Sequence, residues 1–269
     1  MPVPDLLHEA LRGGMAPRTE TPGRLPRVVV AGGAGPLGSA VLEQLLAGPF
    51  SPVGVLVQQT MGTALRDLQV WYTAGWQTAP LAQQQADIAV VVFDRGRSRH
   101  GREEAFVQPA AEELPALAAW LLACGVQHLV VVLPHAPGLL PQALRAGLAS
   151  LDEQAVAQLG FQQLVFVRPA RPGTGAAPRP GALLARLGRG LLAQLHWMVP
   201  QRDQALRAAK VAAFVSDLAA SLPAAPPGTR VVAPDLIWDW AQPEGGRPLL
   251  QAWLQGRTLP ETRAARPRW

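Results

Sequence analysis

"RVVVAGGAGPLGSAVLEQLLAG", residues 27–48, decides the fold. A β-branched apolar run ends in glycines, and a Leu/Val/Ala pattern of helical period follows at once. Gly32, Gly35 and Gly38 stand at three-residue intervals, and Gly33, Gly35 and Gly38 overlap them as G-x-G-x-x-G. Such a loop turns sharply out of a strand, brings bare backbone against a pyrophosphate and packs the helix close to the sheet. Glycine serves all three needs. Pro36 suits the first helical turn, where a missing N–H costs little, and the remaining free N–H groups point at the phosphates. The ligand this pattern calls for is a dinucleotide, NAD(P), over Gly32, Gly33, Gly35, Pro36, Leu37 and Gly38. A purely structural tight turn is the alternative.

Outward from this loop the chain alternates short β-branched runs with Ala/Leu helices. "RVVVAG", "VGVLVQ", "LQVWYT", "DIAVVVFD", "HLVVVLP" and "QLVFVRP" read as strands, and "TRVVAPDLIWDW" as a late strand entering a helix. Continuous apolar strands need cover on both faces, which intervening helices supply. The fold class is therefore α/β, a doubly wound parallel sheet of the Rossmann kind. Helices are predicted over about 36–47, 113–124, 151–159, 180–197 and 206–222. The Pro/Gly loop "RPARPGTGAAPRPG", residues 168–181, marks where a small C-terminal, substrate-side subdomain is expected to begin, near residue 170. Residues 1–26 read as a flexible extension with one short helix over 4–11, Met15 being an alternative start. Residues 27–269 form the Rossmann domain.

Composition narrows the partners. The formal charge is +5, but Lys210 is the only lysine among 24 basic residues, and the arginines are spread along the chain as a GC-rich genome would leave them. A basic nucleic-acid face has little support. Cys124 is the only cysteine, so no intrachain disulfide forms, and its apolar helical setting "LAAWLLACGV" makes it core packing. No apolar stretch is long enough to span a bilayer, and residues 1–27 lack the apolar centre of a signal peptide, so a cytoplasmic protein away from membranes is expected.

"ADIAVVVFD", "RSRHGREEAF", "ACGVQHLVVVLPHA", "LDEQAV…LGFQQLVFVRP" and "MVPQRDQALRAAKVAAF" follow the glycine loop in an order that resembles atypical short-chain dehydrogenases/reductases. The branch it is most similar to includes the NmrA-like and Tat-interacting-protein-like members, over residues 27–240. The resemblance implies a catalytic Ser after the fifth strand and a Tyr-x-x-x-Lys pair on the next helix, where the Tyr moves the hydroxyl proton and the Lys lowers its pKa. Here Pro134 and His135 stand at the serine positions. Taking Glu153 as the acidic residue that follows the Lys, Leu151 replaces the Lys and Gly147 the Tyr. No other register restores the pair, because Tyr72 and Lys210 are the only Tyr and Lys.

Cofactor selection is equally bare. An acid at the end of the second strand takes the NAD ribose and a nearby Arg accommodates NADP, but "VLVQQTMGT" offers neither. Gln58 and Gln59 are left to bond a ribose without a sharp preference, so binding is expected to be weak, with NAD against NADP unresolved. Trp76 stands where the family usually has an Asp near adenine. His135 is the surviving candidate for a general acid, its ordinary pKa lying near neutrality. Arg95, Arg97, Arg99, His100 and Arg102 crowd the loop after the fourth strand as candidates to meet an anion, against a solvated loop. Trp238, Trp240 and Trp253 are candidates to cap a pocket or a homodimer interface, core closure being the simpler reading. No metal cluster is indicated.

Three functions follow. The first is an NAD(P)-binding protein that has lost Ser/Tyr/Lys catalysis and acts by binding, with a small molecule or protein as partner. The second is an NAD(P)H-dependent oxidoreductase passing hydride to a quinone-like or flavin-like acceptor. The third is a Rossmann scaffold that binds no nucleotide.

Overall fold

The computed structural model describes residues 24–59, 67–94, 104–133, 150–169 and 208–257. The expected extension up to residue 23, the helix over 180–197 and the start of a subdomain near 170 lie outside the described residues. Every strand run of the sequence forms a strand: Val28–Ala31 (β1), Val53–Val57 (β2), Leu68–Tyr72 (β3), Ile88–Val92 (β4), His128–Val132 (β5), Gln163–Val167 (β6) and Gly228–Val232 (β7). They join in one sheet of order β3-β2-β1-β4-β5-β6-β7, every neighbouring pair parallel. The order reverses between β1 and β4, which opens a crevice at the carboxyl edge there.

The helices run Gly35–Leu46 (α1), Leu114–Ala123 (α2), Leu151–Ala157 (α3), Ala208–Ser221 (α4), Pro234–Trp240 (α5) and Arg247–Leu254 (α6). Where the expected bounds fall on described residues they agree with the observed ones to within one or two residues, α3 ending at Ala157 and α4 passing at Ser221 into a tighter turn over Leu222–Ala224. Strand side chains alternate between the faces. Val28, Val30, Val90 and Val130 pack on one face with Val41 and Leu45 of α1, Phe214 and Leu218 of α4, and the C-terminal helices. On the opposite face Val29, Val91 and Val131 meet Leu117 and Leu121 of α2 and Val156 of α3. The result is a doubly wound, Rossmann-like α/β fold with additional C-terminal helices.

Two polar contacts fix the amino edge. Arg27 reaches Asp87 with its guanidinium at 2.8 Å and its backbone N–H at 2.8 Å, tying the start of β1 to that of β4. The hydrogen bond from Arg27 holds the Asp87 carboxyl below the usual range. Burial lowers the His128 imidazole at the start of β5, against an opposing pull from Gln163. Cys124 is buried, as its setting implied, and burial pushes its thiol up to about 12. Trp240 meets Phe214 edge-on at 5.4 Å and, with Trp253, packs against the α1/α4 core. No described helix is long and apolar enough to cross a membrane.

Candidate functional site

β1 ends beneath the glycine loop, and the backbone there shows which overlapping register matters. Gly32 and Gly35 take φ of +83° and +82°, a region that side chains rarely tolerate. A Cβ on Gly32 would stand 2.0 Å from the Val92 carbonyl oxygen, and one on Gly38 would stand 2.0 Å from that of Gly32. Gly32, Gly35 and Gly38 therefore set the turn and the close packing of α1. Gly33 has no such φ, and its Cβ would press on Val55 and Phe106 at 3.2 and 3.4 Å. Its bareness makes room for the chain itself.

Ala34 is the N-cap of α1 and supplies no side-chain oxygen, while Pro36 occupies the first turn as expected. The third helical amide, Leu37 N–H, donates instead to Asp94 Oδ2 at 2.7 Å, from just beyond β4. An anion at a helix N-terminus is favourable, and here the chain provides it. No motif in the sequence singles out Asp94. Its position three residues past the paired Ala31 and Val91 was the available signal, since that pairing brings the end of β4 beside the loop.

Between the loop and the end of β2 runs a short segment, residues 104–107. Val107 N–H donates to Leu56 O at 3.0 Å and Gln58 N–H to Ala105 O at 2.8 Å, with Val57 and Phe106 bridged antiparallel. Gly32 N–H donates to Val107 O at 3.1 Å. Gln58 lies at the end of β2, where the ribose was expected, but its Nε2 donates to Glu104 O at 2.7 Å. Gln59 is exposed beside it. A cavity of about 410 Å³ opens at the β1/β4 crevice, lined among others by Gly32, Ala34, Phe93, Asp94, Gln108 and Leu133. Among the described residues of that lining Asp94 is the only ionisable one.

The remaining candidates scatter. His135, Pro134, Gly147 and the Arg95–Arg102 cluster lie outside the described residues. Tyr72 closes β3 and Lys210 lies on α4, so the chain's only Tyr and Lys belong to different elements. Leu151 is exposed at the start of α3. Trp76 packs edge-on to Trp120 of α2 at 6.0 Å, which makes it part of the core face. Glu153 is buried and accepts from Arg168 at 2.5 Å, with side-chain exposures of only 6% and 3%. This pair ties α3 to the carboxyl end of β6. Among the described residues no group of His, Cys, Asp and Glu is placed to hold a metal.

Fold and loop define the class, a Rossmann-like α/β protein with a glycine-rich turn after its first strand. No family model and no curated protein matches the chain. Among solved structures it is similar to a Rossmann-fold NAD(P)-binding family protein from Shigella flexneri, at 15% identity over 77% of this chain and 92% of that one, with a TM-score of 0.42. The Bordetella bronchiseptica enzyme WbmG in complex with NAD is 15% identical over 86% and 81%, at a TM-score of 0.43. UDP-N-acetylglucosamine 4-epimerase from Bacillus cereus is 15% identical over 77% and 75%, at a TM-score of 0.43. The sheet order and the glycine turn define the fold.

Proposed function

We propose that the chain binds a dinucleotide, NAD(P), at the glycine loop and acts through that binding rather than through Ser/Tyr/Lys catalysis. The observation that carries the reading is the turn itself. Gly32 and Gly35 at positive φ and Gly38 against the Gly32 carbonyl leave bare backbone at the carboxyl edge, beside the β1/β4 cavity. That turn has the form that receives a pyrophosphate, and Gln58 and Gln59 stand just past the end of β2, where a ribose would lie. Bound there, NAD(P) would bring a nicotinamide able to carry hydride. Moving a hydroxyl proton as well needs a positioned acid worth about a hundredfold to ten-thousandfold in rate. Tyr72 and Lys210, on separate elements, do not form one, which leaves His135 as the proposed substitute.

A thermal-shift titration with NADPH, NADP, NADH and NAD tests the reading. Ligand at about 100 times its dissociation constant adds about 2.7 kcal/mol of stability. Saturable stabilisation without carbonyl reduction supports a binding protein. Carbonyl reduction that disappears in His135→Ala would replace that reading with an enzyme using His135 as acid. The scaffold reading is favoured by a specific observation, since Asp94 and Val107 already engage the loop's amides. No stabilisation by any of the four nucleotides would establish it.

A further inference from the structure

Two donors of the glycine loop are held by the chain's own atoms. Leu37 N–H, which has no acceptor from the Ala34 cap, donates to the Asp94 carboxylate, and Gly32 N–H donates to the Val107 carbonyl. β1 and β2 pair directly only as far as Val30 and Val55. Beyond that point residues 104–107 fill the gap, bonded to Gly32 on one side and to Leu56 and Gln58 on the other. Phe106 is seated over Gly33, where a Cβ would stand 3.4 Å from its ring. A pyrophosphate belongs at the helix N-terminus and an adenosine ribose at the end of the second strand. Both places are taken from within.

We propose that Asp94 and the 104–107 segment form a built-in stand-in for the dinucleotide, so that the nucleotide enters by displacing them. This rests on the nucleotide-binding reading above. Asp94 and a pyrophosphate compete for the same Leu37 amide and repel each other as like charges across a short distance. The segment closes the ribose end through backbone hydrogen bonds, to which the Gln58 side chain adds one at Glu104 O. The affinity measured for a nucleotide is then its intrinsic affinity reduced by the fraction of molecules that are open. Weak binding follows from self-closure, whatever the intrinsic fit of the loop.

The test uses amide hydrogen exchange on the full chain, followed by NMR at Gly32, Leu37, Gln58 and Val107, together with NADPH titration of wild type and Asp94→Ala. Self-closure requires all four amides to be protected without nucleotide. On saturation Gln58 and Val107 lose protection, while Leu37, now facing phosphate, keeps it. Asp94→Ala binds NADPH at least tenfold more tightly. Unprotected Gln58 and Val107 amides in the free wild-type chain would overturn the closure while leaving nucleotide binding standing. Binding with those amides still protected would also overturn it, by placing the ligand elsewhere. Protected amides with no NADPH binding by either protein would sink the nucleotide reading and reduce the contacts to a permanent seal. The wild-type exchange decides the closure even where Asp94→Ala fails to fold.

Discussion

At Gly38 one added methyl group would stand 2.0 Å from the Gly32 carbonyl oxygen, a backbone atom that cannot turn aside. Gly38→Ala must push α1 off the sheet, and overpacking of this kind costs about 3 kcal/mol. Urea unfolding checks it, and an unchanged midpoint would mean that α1 sits further from β1 than described. The same residue shows what a local pattern can reveal. Glycine spacing was legible because the positive φ of Gly32 and Gly35 and the contact of Gly38 with Gly32 are constraints within one turn, although Gly32 also passes against Val92 of β4. Asp94 was not legible, because its partner, Leu37, is 57 residues away and only the β1/β4 register brings them together.

At the scale of elements, α3 joins a local signal to a distant one. Ser150 caps it, accepting from Glu153 N–H at 3.2 Å, and S-x-x-E before an apolar run is a helix start that sequence can announce. The Glu153 side chain, however, is buried against Arg168 of the following strand's end. Glu153→Ala leaves a buried guanidinium without this carboxylate, a loss that typically costs about 3–5 kcal/mol, whereas a lost cap such as Ser150→Ala costs about 1 kcal/mol. Denaturant titration of the two variants should keep that ranking, and a Glu153→Ala protein no less stable than Ser150→Ala would show the pair to be solvated. Helix and strand limits within the described residues were legible because period and capping are local. The strand-like pairing of 104–107 was not, since a β-bridge depends on a partner edge that "EAFV" does not encode.

For the molecule as a whole, stability should fall on mild acidification. The unfolded imidazole takes up a proton near pH 6.5, while burial keeps folded His128 neutral to lower pH, so the unfolded state binds more protons below that value. Asp87, held down by Arg27, adds a second loss as pH falls below about 4 towards its lowered value. The urea midpoint should therefore decline from pH 7 to pH 5, and His128→Gln should flatten that decline. A wild-type midpoint flat across this range would mean that His128 titrates as it does in water. The sequence by itself determined the doubly wound sheet, its strands and the glycine turn. Those follow from alternation, helical period and the steric freedom of glycine, all carried by neighbours in the chain. Tertiary structure alone decided that Asp94 caps α1, that 104–107 lies between β1 and β2, and that Glu153 meets Arg168. Each needs two distant segments brought to one place, and the free energy that does so is the burial of both sheet faces.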